Sequence, residues 1–211
     1  MCKQHVNSIL QILEETFPHA YCELHFSNPF ELLIATILSA QTTDQKVNEV
    51  TAELFAQYPT PEKMLELTPS QLEGKIKKIG LFRTKAQHIL ETCRILVDKY
   101  QGNVPQDLHK LIELPGVGRK TAGVVLANAF GIPAFPVDTH VLRVSKRLGL
   151  SAHEDPFKVE KDLTSVISPD LWIDTHHRMI FLGRRICSAK KPRCKDCPLA
   201  SLCPNHGDGS F

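Results

Sequence analysis

The chain has 211 residues, 42% of them hydrophobic and 23% charged, with seven cysteines and a formal net charge of +2. That is enough apolar material for one large domain or two small ones. It excludes a membrane-spanning chain, because the longest apolar run, Leu32 to Leu38, is short and interrupted by Thr36. An odd cysteine count, with no apolar leader after Met1 to Lys3, also argues against a secreted, disulfide-stapled protein. A reducing, cytoplasmic setting without a secretion signal is expected.

The small net charge conceals a strong segregation. Residues 1–73 hold three lysines against ten acids, a balance of −7. Residues 74–99 hold seven bases and two acids, +5, and residues 178–203 hold seven bases and one acid, +6. Such blocks suggest a face for a polyanion, although ordinary solvated helix faces would read the same way.

Along the chain the periodicity is helical. Val6, Ile9, Leu10, Leu13 and Phe17 form one stripe before Pro18. Phe30 to Ala40 is apolar on most sides and reads as a buried central helix. Asp44 to Tyr58 repeats Val47, Val50 and Leu54. Thr68-Pro69 is an N-cap followed by proline at the first helical position, starting a helix that should run to Gly80. Arg83 to Gln101 is amphipathic and closed by Gly102. Asp155-Pro156 is a second cap-plus-proline start. Nothing alternates as a strand does. The expected fold is all-α, about ten helices with short connections.

Between these helices lies the segment from Leu111 to Ala122, Leu-Ile-Glu-Leu-Pro-Gly-Val-Gly-Arg-Lys-Thr-Ala. A short helix should end near Leu114. Gly116 and Gly118 then make a tight turn, and a new helix starts near Arg119. Bare backbone N–H groups at a helix N-terminus suit a phosphate. Lys120 sits in the first turn of that helix. Lysine becomes a nucleophile only where its surroundings favour the neutral amine, and a helix N-terminus beside Arg119 adds positive potential. Its position fits a further phosphate contact equally well. In Pro136-Val137-Asp138-Thr139-His140-Val141 a helix should begin at Thr139, with Asp138 as its cap. A fixed, ionised carboxylate can also stabilise a cationic transition state.

Four cysteines close the chain at C-x6-C-x2-C-x5-C spacing: Cys187, Cys194, Cys197 and Cys203. They are not paired as in a zinc ribbon, though structural zinc is the alternative. They form the full thiolate set of a [4Fe–4S] cluster. Lys190, Lys191, Arg193 and Lys195 lie among them, so the loop also suits phosphate. Cys2, Cys22 and Cys93 show no pairing pattern.

Taken in order, the hairpin with its lysine, Val-Asp-Thr-His and the four cysteines resemble the endonuclease III family of helix–hairpin–helix DNA glycosylase/abasic-site lyases. Pro29 to Ile34 and Leu38 to Gln41 extend the resemblance over essentially the whole chain. It implies a six-helix barrel-like domain over residues 22–132, with the helix–hairpin–helix at about 107–131. It implies a second helical domain from residues 1–21 and 133–211 carrying the cluster loop 187–203, with the substrate cleft between the domains. It further implies that Lys120 is the nucleophile, Asp138 the catalytic carboxylate and the four cysteines the ligands of one [4Fe–4S] cluster. Amides of Gly116 and Gly118 would meet a phosphate. Carbonyls of Ile112, Leu114 and Val117 would hold a monovalent cation when DNA is bound. Gln41 would fill the space of an extruded base, and Ile79 and Leu81 would wedge the opposite strand, unless they are ordinary core residues. Lys191 and Arg193 would contact DNA.

Gly123 and Ile112 depart from the family pattern, which has asparagine after Lys-Thr-Ala and, in some members, an acid at the second position. The implied partner is double-stranded DNA bearing damaged pyrimidines or abasic sites, and the implied state a monomer without membrane contact. Two alternatives stand beside this: an adenine or mismatch glycosylase of the same superfamily, and a non-catalytic helix–hairpin–helix DNA-binding protein.

Overall fold

The computed structural model describes residues 3–206 and has no strand among them. Cys2 and the outer ends of the second domain lie outside these residues. Eleven α-helices are present among them: α1 Lys3–Thr16, α2 Pro29–Ser39, α3 Asp44–Gln57, α4 Pro61–Met64, α5 Pro69–Ile76, α6 Phe82–Tyr100, α7 Leu108–Ile112, α8 Arg119–Phe130, α9 Thr139–Arg147, α10 Pro156–Val166 and α11 Trp172–Arg185. No helix among the described residues is long and apolar enough to cross a membrane. The chain divides into two compact units. One is Cys22–Ile132; the other joins the N-terminal segment through Tyr21 to the chain from Pro133 onward.

In the first unit α2 is the centre, with every side chain from Phe30 to Leu38 buried. Helices α3, α6 and α8 pack on it. Its N-terminus is built by a reciprocal pair. Asn28 Oδ1 accepts from Glu31 N at 2.9 Å, while the buried Glu31 carboxylate accepts from Ser27 N and Ser27 Oγ, both at 2.7 Å. The capping bond satisfies a donor that the first helical turn otherwise leaves orphaned.

Two boundaries differ from expectation. Helix α5 stops at Ile76, not Gly80, because a turn closed by Ile79 N donating to Ile76 O at 2.8 Å buries Ile79. Helix α6 then starts at Phe82, after Leu81 in left-handed backbone (φ 58°). At its far end both Gln101 and Gly102 are left-handed, and Gly102 N reaches back to Leu96 O at 2.9 Å.

In the second unit the N-terminal stripe packs into a core with α9, α10 and α11: Val6, Ile9, Leu13 and Phe17 with Val141, Val144, Val159, Met179 and Leu182. Phe17 meets Phe181 edge-on at 6.0 Å, and Arg178 bonds Glu14 at 3.1 Å. These two contacts fasten the N-terminal helix to α11.

Removing the α2 cap should be felt as stability alone. Asn28→Ala is expected to cost about 1 kcal/mol, read as a shift of the denaturation midpoint at constant slope.

Candidate functional site

The hairpin between α7 and α8 is set by backbone geometry. Asp107 caps α7 by accepting from Lys110 N at 2.9 Å. Leu114 N donates to Leu111 O and Val117 N to Leu114 O, both at 3.1 Å, which folds the turn back on α7. Gly116 has φ +75°, and a Cβ there would lie 2.8 Å from His88 Nδ1. Both facts demand glycine. Gly118 is different: its backbone is extended, and a Cβ would meet nothing within 4 Å. It caps α8 without a side chain, so no side chain of the cap accepts from the first turn. Lys120 follows in that turn with an exposed side chain. Of the residues whose carbonyls the sequence singles out, Leu114 and Val117 are buried and Ile112 is 39% exposed. Gly123 is buried in α8.

Asp138 is the cap of α9. Its Oδ1 accepts from His140 N at 2.9 Å and Val141 N at 2.8 Å. Both bonds fall on one oxygen, and Oδ2 takes part in no hydrogen bond among the described residues. Capping therefore leaves half of the carboxylate for other work. Burial holds the neighbouring His140 below the usual imidazole range, partly offset by the Asp138 charge.

The four cysteines line a single cavity, together with Arg147, Leu182, Ile186 and Asn205. Among the described residues no three His, Cys, Asp or Glu side chains stand close enough to share one metal ion. A cluster that binds one thiolate per iron asks for sulfurs around a space, and this donor set fits that. What holds the loop was not apparent in the sequence. Arg147 of α9 donates to Cys187 Sγ at 3.3 Å, Ser188 O at 2.7 Å and Ala189 O at 3.0 Å. Its own carbonyl accepts from Asn205 Nδ2 at 2.8 Å and Cys203 Sγ at 3.3 Å. One arginine thus ties the first and last thiols to α9. Arg143, one turn earlier, adds bonds to Cys187 O at 3.0 Å and Gly183 O at 2.9 Å. Two arginines four apart on an amphipathic helix were the only signal available.

The remaining predicted residues separate. Gln41 is exposed with φ 56°, and Leu81 is 60% exposed. Ile79 is 2% exposed and part of the core, whereas Leu81 on the other side of Gly80 faces solvent. Lys191 is exposed. Arg193 is exposed too, but its guanidinium donates to Arg185 O at the end of α11.

The basic blocks also shrink. Lys78 pairs with Glu49 at 2.8 Å and Arg83 approaches Glu73 at 4.0 Å. Hydrogen bonds from Lys46 and Lys78 hold the exposed Glu49 down at about 2. Arg178 is buried against Glu14. Charge separated along the chain is thus partly neutralised in the fold, while Lys190, Lys191 and Lys195 of the cysteine loop stay exposed.

Comparison with known proteins agrees with this geometry. Residues 34–169 match the family described as "HhH-GPD superfamily base excision DNA repair protein". The chain is 51% identical to endonuclease III of Bacillus subtilis (strain 168), over 92% of this chain and 89% of that one. It is 49% identical to endonuclease III of Rickettsia conorii (strain ATCC VR-613 / Malish 7), over 96% and 97%. The solved structure of a trapped endonuclease III–DNA covalent intermediate superposes with a TM-score of 0.94 at 50% identity, covering 99% of this chain and 98% of that one.

The two hairpin glycines should differ in what substitution costs. Gly116→Ala meets both positive φ and His88, and should destabilise by about 1–3 kcal/mol. Gly118→Ala has allowed backbone and open space and loses only the better cap, so it should destabilise by about 1 kcal/mol or less. Chemical denaturation of the two variants checks this.

Proposed function

The chain belongs to the endonuclease III family of the HhH-GPD superfamily of base excision DNA repair proteins, and from that premise we infer which of its residues perform the repair. The protein is a DNA glycosylase and abasic-site lyase. Its substrate is duplex DNA carrying an oxidised or ring-saturated pyrimidine, or an abasic site. It acts as a monomer in the cytoplasm, on the nucleoid.

A damaged nucleotide must leave the stack before its C1′ can be reached. Extrusion costs a few kcal/mol, least for a base that stacks poorly. A non-planar, saturated pyrimidine is such a base. The neutral Lys120 amine attacks C1′; the glycosidic bond breaks and the base departs with the electron pair. The sugar ring opens at O4′, leaving a Schiff base between Lys120 and C1′. Loss of a C2′ proton then expels the 3′-phosphate oxygen. Hydrolysis of the imine returns the lysine and leaves a nick with an unsaturated aldehyde on one side and a 5′-phosphate on the other. Asp138, through the oxygen its cap does not use, stabilises the positive charge that develops on the sugar.

The grip on DNA divides among backbone and side chains. Amides at Gly116 and Gly118 and the N-terminus of α8 hold a phosphate without reading sequence. The carbonyls of Ile112, Leu114 and Val117 would hold a monovalent cation, which would supply positive charge for that phosphate. Gln41 fills the gap in the stack and Leu81 wedges the facing strand. Lys191 and Arg193 add charge from the cluster loop. Cys187, Cys194, Cys197 and Cys203 would hold one [4Fe–4S] cluster, which would anchor that loop.

The observation that carries this reading is the hairpin itself. A cap that offers only backbone to an anion is followed, two residues on, by an exposed lysine amine. Lys120→Gln is expected to keep its fold and its affinity for abasic duplex, and to lose covalent trapping by borohydride, since no amine remains. Asp138→Asn keeps a good cap, so its melting should change little while thymine glycol excision slows by about 10²-fold. Wild-type excision rates in Asp138→Asn would reduce that residue to a cap. Trapping that survives in Lys120→Gln would move the nucleophile elsewhere.

The cluster has its own test. The purified protein should be yellow-brown and carry about four irons per chain. A colourless, active protein with one zinc would overturn the assignment.

A further inference from the structure

Gln41 and Leu81 share a disfavoured feature: both are non-glycine residues in left-handed backbone, at φ 56° and φ 58°. They are also neighbours, because a Cβ on Gly80 would lie 3.9 Å from Gln41 O. The Gln41 turn is closed by Thr42 N donating to Ser39 O at 3.0 Å, and one residue bonds to both turns. Lys85 N donates to Leu81 O at 3.0 Å. Its side chain runs inward, and Nζ donates to Leu38 O at 2.9 Å, Ala40 O at 2.6 Å and Thr42 Oγ1 at 3.4 Å. An ammonium has three protons. All three go to Leu38, Ala40 and Thr42, on either side of Gln41.

Lys85 is 4% exposed, and no carboxylate bonds it among the described residues. Burial favours its neutral form, so the charge is kept at a cost. Closing the C-terminus of a helix does not need a buried cation; a glycine or water serves. The ammonium does more than a cap would, since it fixes the path of the chain on both sides of Gln41.

We propose that Lys85 is a positioning residue for engagement of the duplex, locking the Ser39–Thr42 turn so that Gln41 meets the gap in the base stack beside Leu81. The proposal rests on the reading of Gln41 and Leu81 as residues that enter the duplex. Its consequence is selective. A single strand has no stack to fill, so the turn matters only when the partner strand is present.

The test compares borohydride trapping on one abasic oligonucleotide, single-stranded and annealed to its complement. Lys85→Met should lose about tenfold or more on the duplex, the scale of a misplaced contact, while single-strand trapping stays within about threefold. Lys85→Arg, which keeps charge and donors, should recover part of the duplex rate. Equal losses on both substrates would mark Lys85 as merely structural, and no loss on either would remove the role; both outcomes overturn the proposal. Should Lys85→Met fail to fold, Lys85→Gln, a shorter neutral donor, goes through the same comparison. Gln41→Ala and Leu81→Ala run alongside. If neither shows a duplex-specific loss, the reading of the interface falls. If they do and Lys85→Met does not, Lys85 alone is wrong.

Discussion

Helix α2 has no face left for water. With every side chain from Phe30 to Leu38 buried, the polar groups at its two ends have to be answered by other parts of the chain, because unpaired buried carbonyls and amides are costly. Ser27, Asn28 and Glu31 answer at the N-terminus. At the C-terminus the answer comes from α6, through Lys85. The turn that follows α2 is therefore pinned to α6 by the same bonds that make the burial of α2 tolerable.

Helix α6 repeats this service one and two turns later. His88 lies under Gly116, and Thr92 Oγ1 donates to Pro115 O at 3.1 Å. Lys85, His88 and Thr92 are spaced i, i+3 and i+7, so they share one face. The Gln41 turn and the hairpin turn are consequently fastened to a single rigid element. One helix carrying both turns keeps their spacing fixed. In the other unit α9 plays the comparable part, with Arg143 and Arg147 reaching the cysteine loop from the helix that Asp138 caps.

The sequence showed most clearly what depends on short-range signals. Thr68-Pro69 and Asp155-Pro156 open helices where a cap and a proline together demand one, and both caps are made. The unbroken apolar run of α2 could only be buried. Gly116 is where the hairpin needs it. Thr60-Pro61 carries the same signal as the other two caps, but only a single turn, α4, follows because the apolar spacing is not sustained. Long-range pairing was not legible. Acids of the first 73 residues meet bases of the next block, which the charge balance along the chain cannot reveal. Ile79 and Leu81 flank one glycine and look equivalent, yet one is core and the other solvent-facing, because only the turn decides which side each occupies. Lys85 was one base among seven in its block. Its distinction is burial, and burial of a lysine cannot be read from its neighbours in sequence.

Backbone strain does not by itself mark a turn as arranged for a partner, and Gln101 shows why. It is the third non-glycine residue with positive φ, and nothing assigns it to DNA. Its conformation follows from the end of α6: Gln101 N and Gly102 N both close on Leu96 O, so the helix satisfies its own last carbonyls by turning left-handed there. That strain is offset locally and serves the helix. Gln41 differs in what sustains it. Thr42 N closes the turn on Ser39 O at 3.0 Å, and a cation from another helix pins the chain on both sides of Gln41, at the cost of its own desolvation. Leu81 differs as well, since it leaves a large apolar side chain 60% exposed where a glycine or polar residue would sit at less cost. Strain that a helix end needs explains itself. Strain held from outside, beside an apolar side chain kept in solvent, is what distinguishes a surface arranged for a partner.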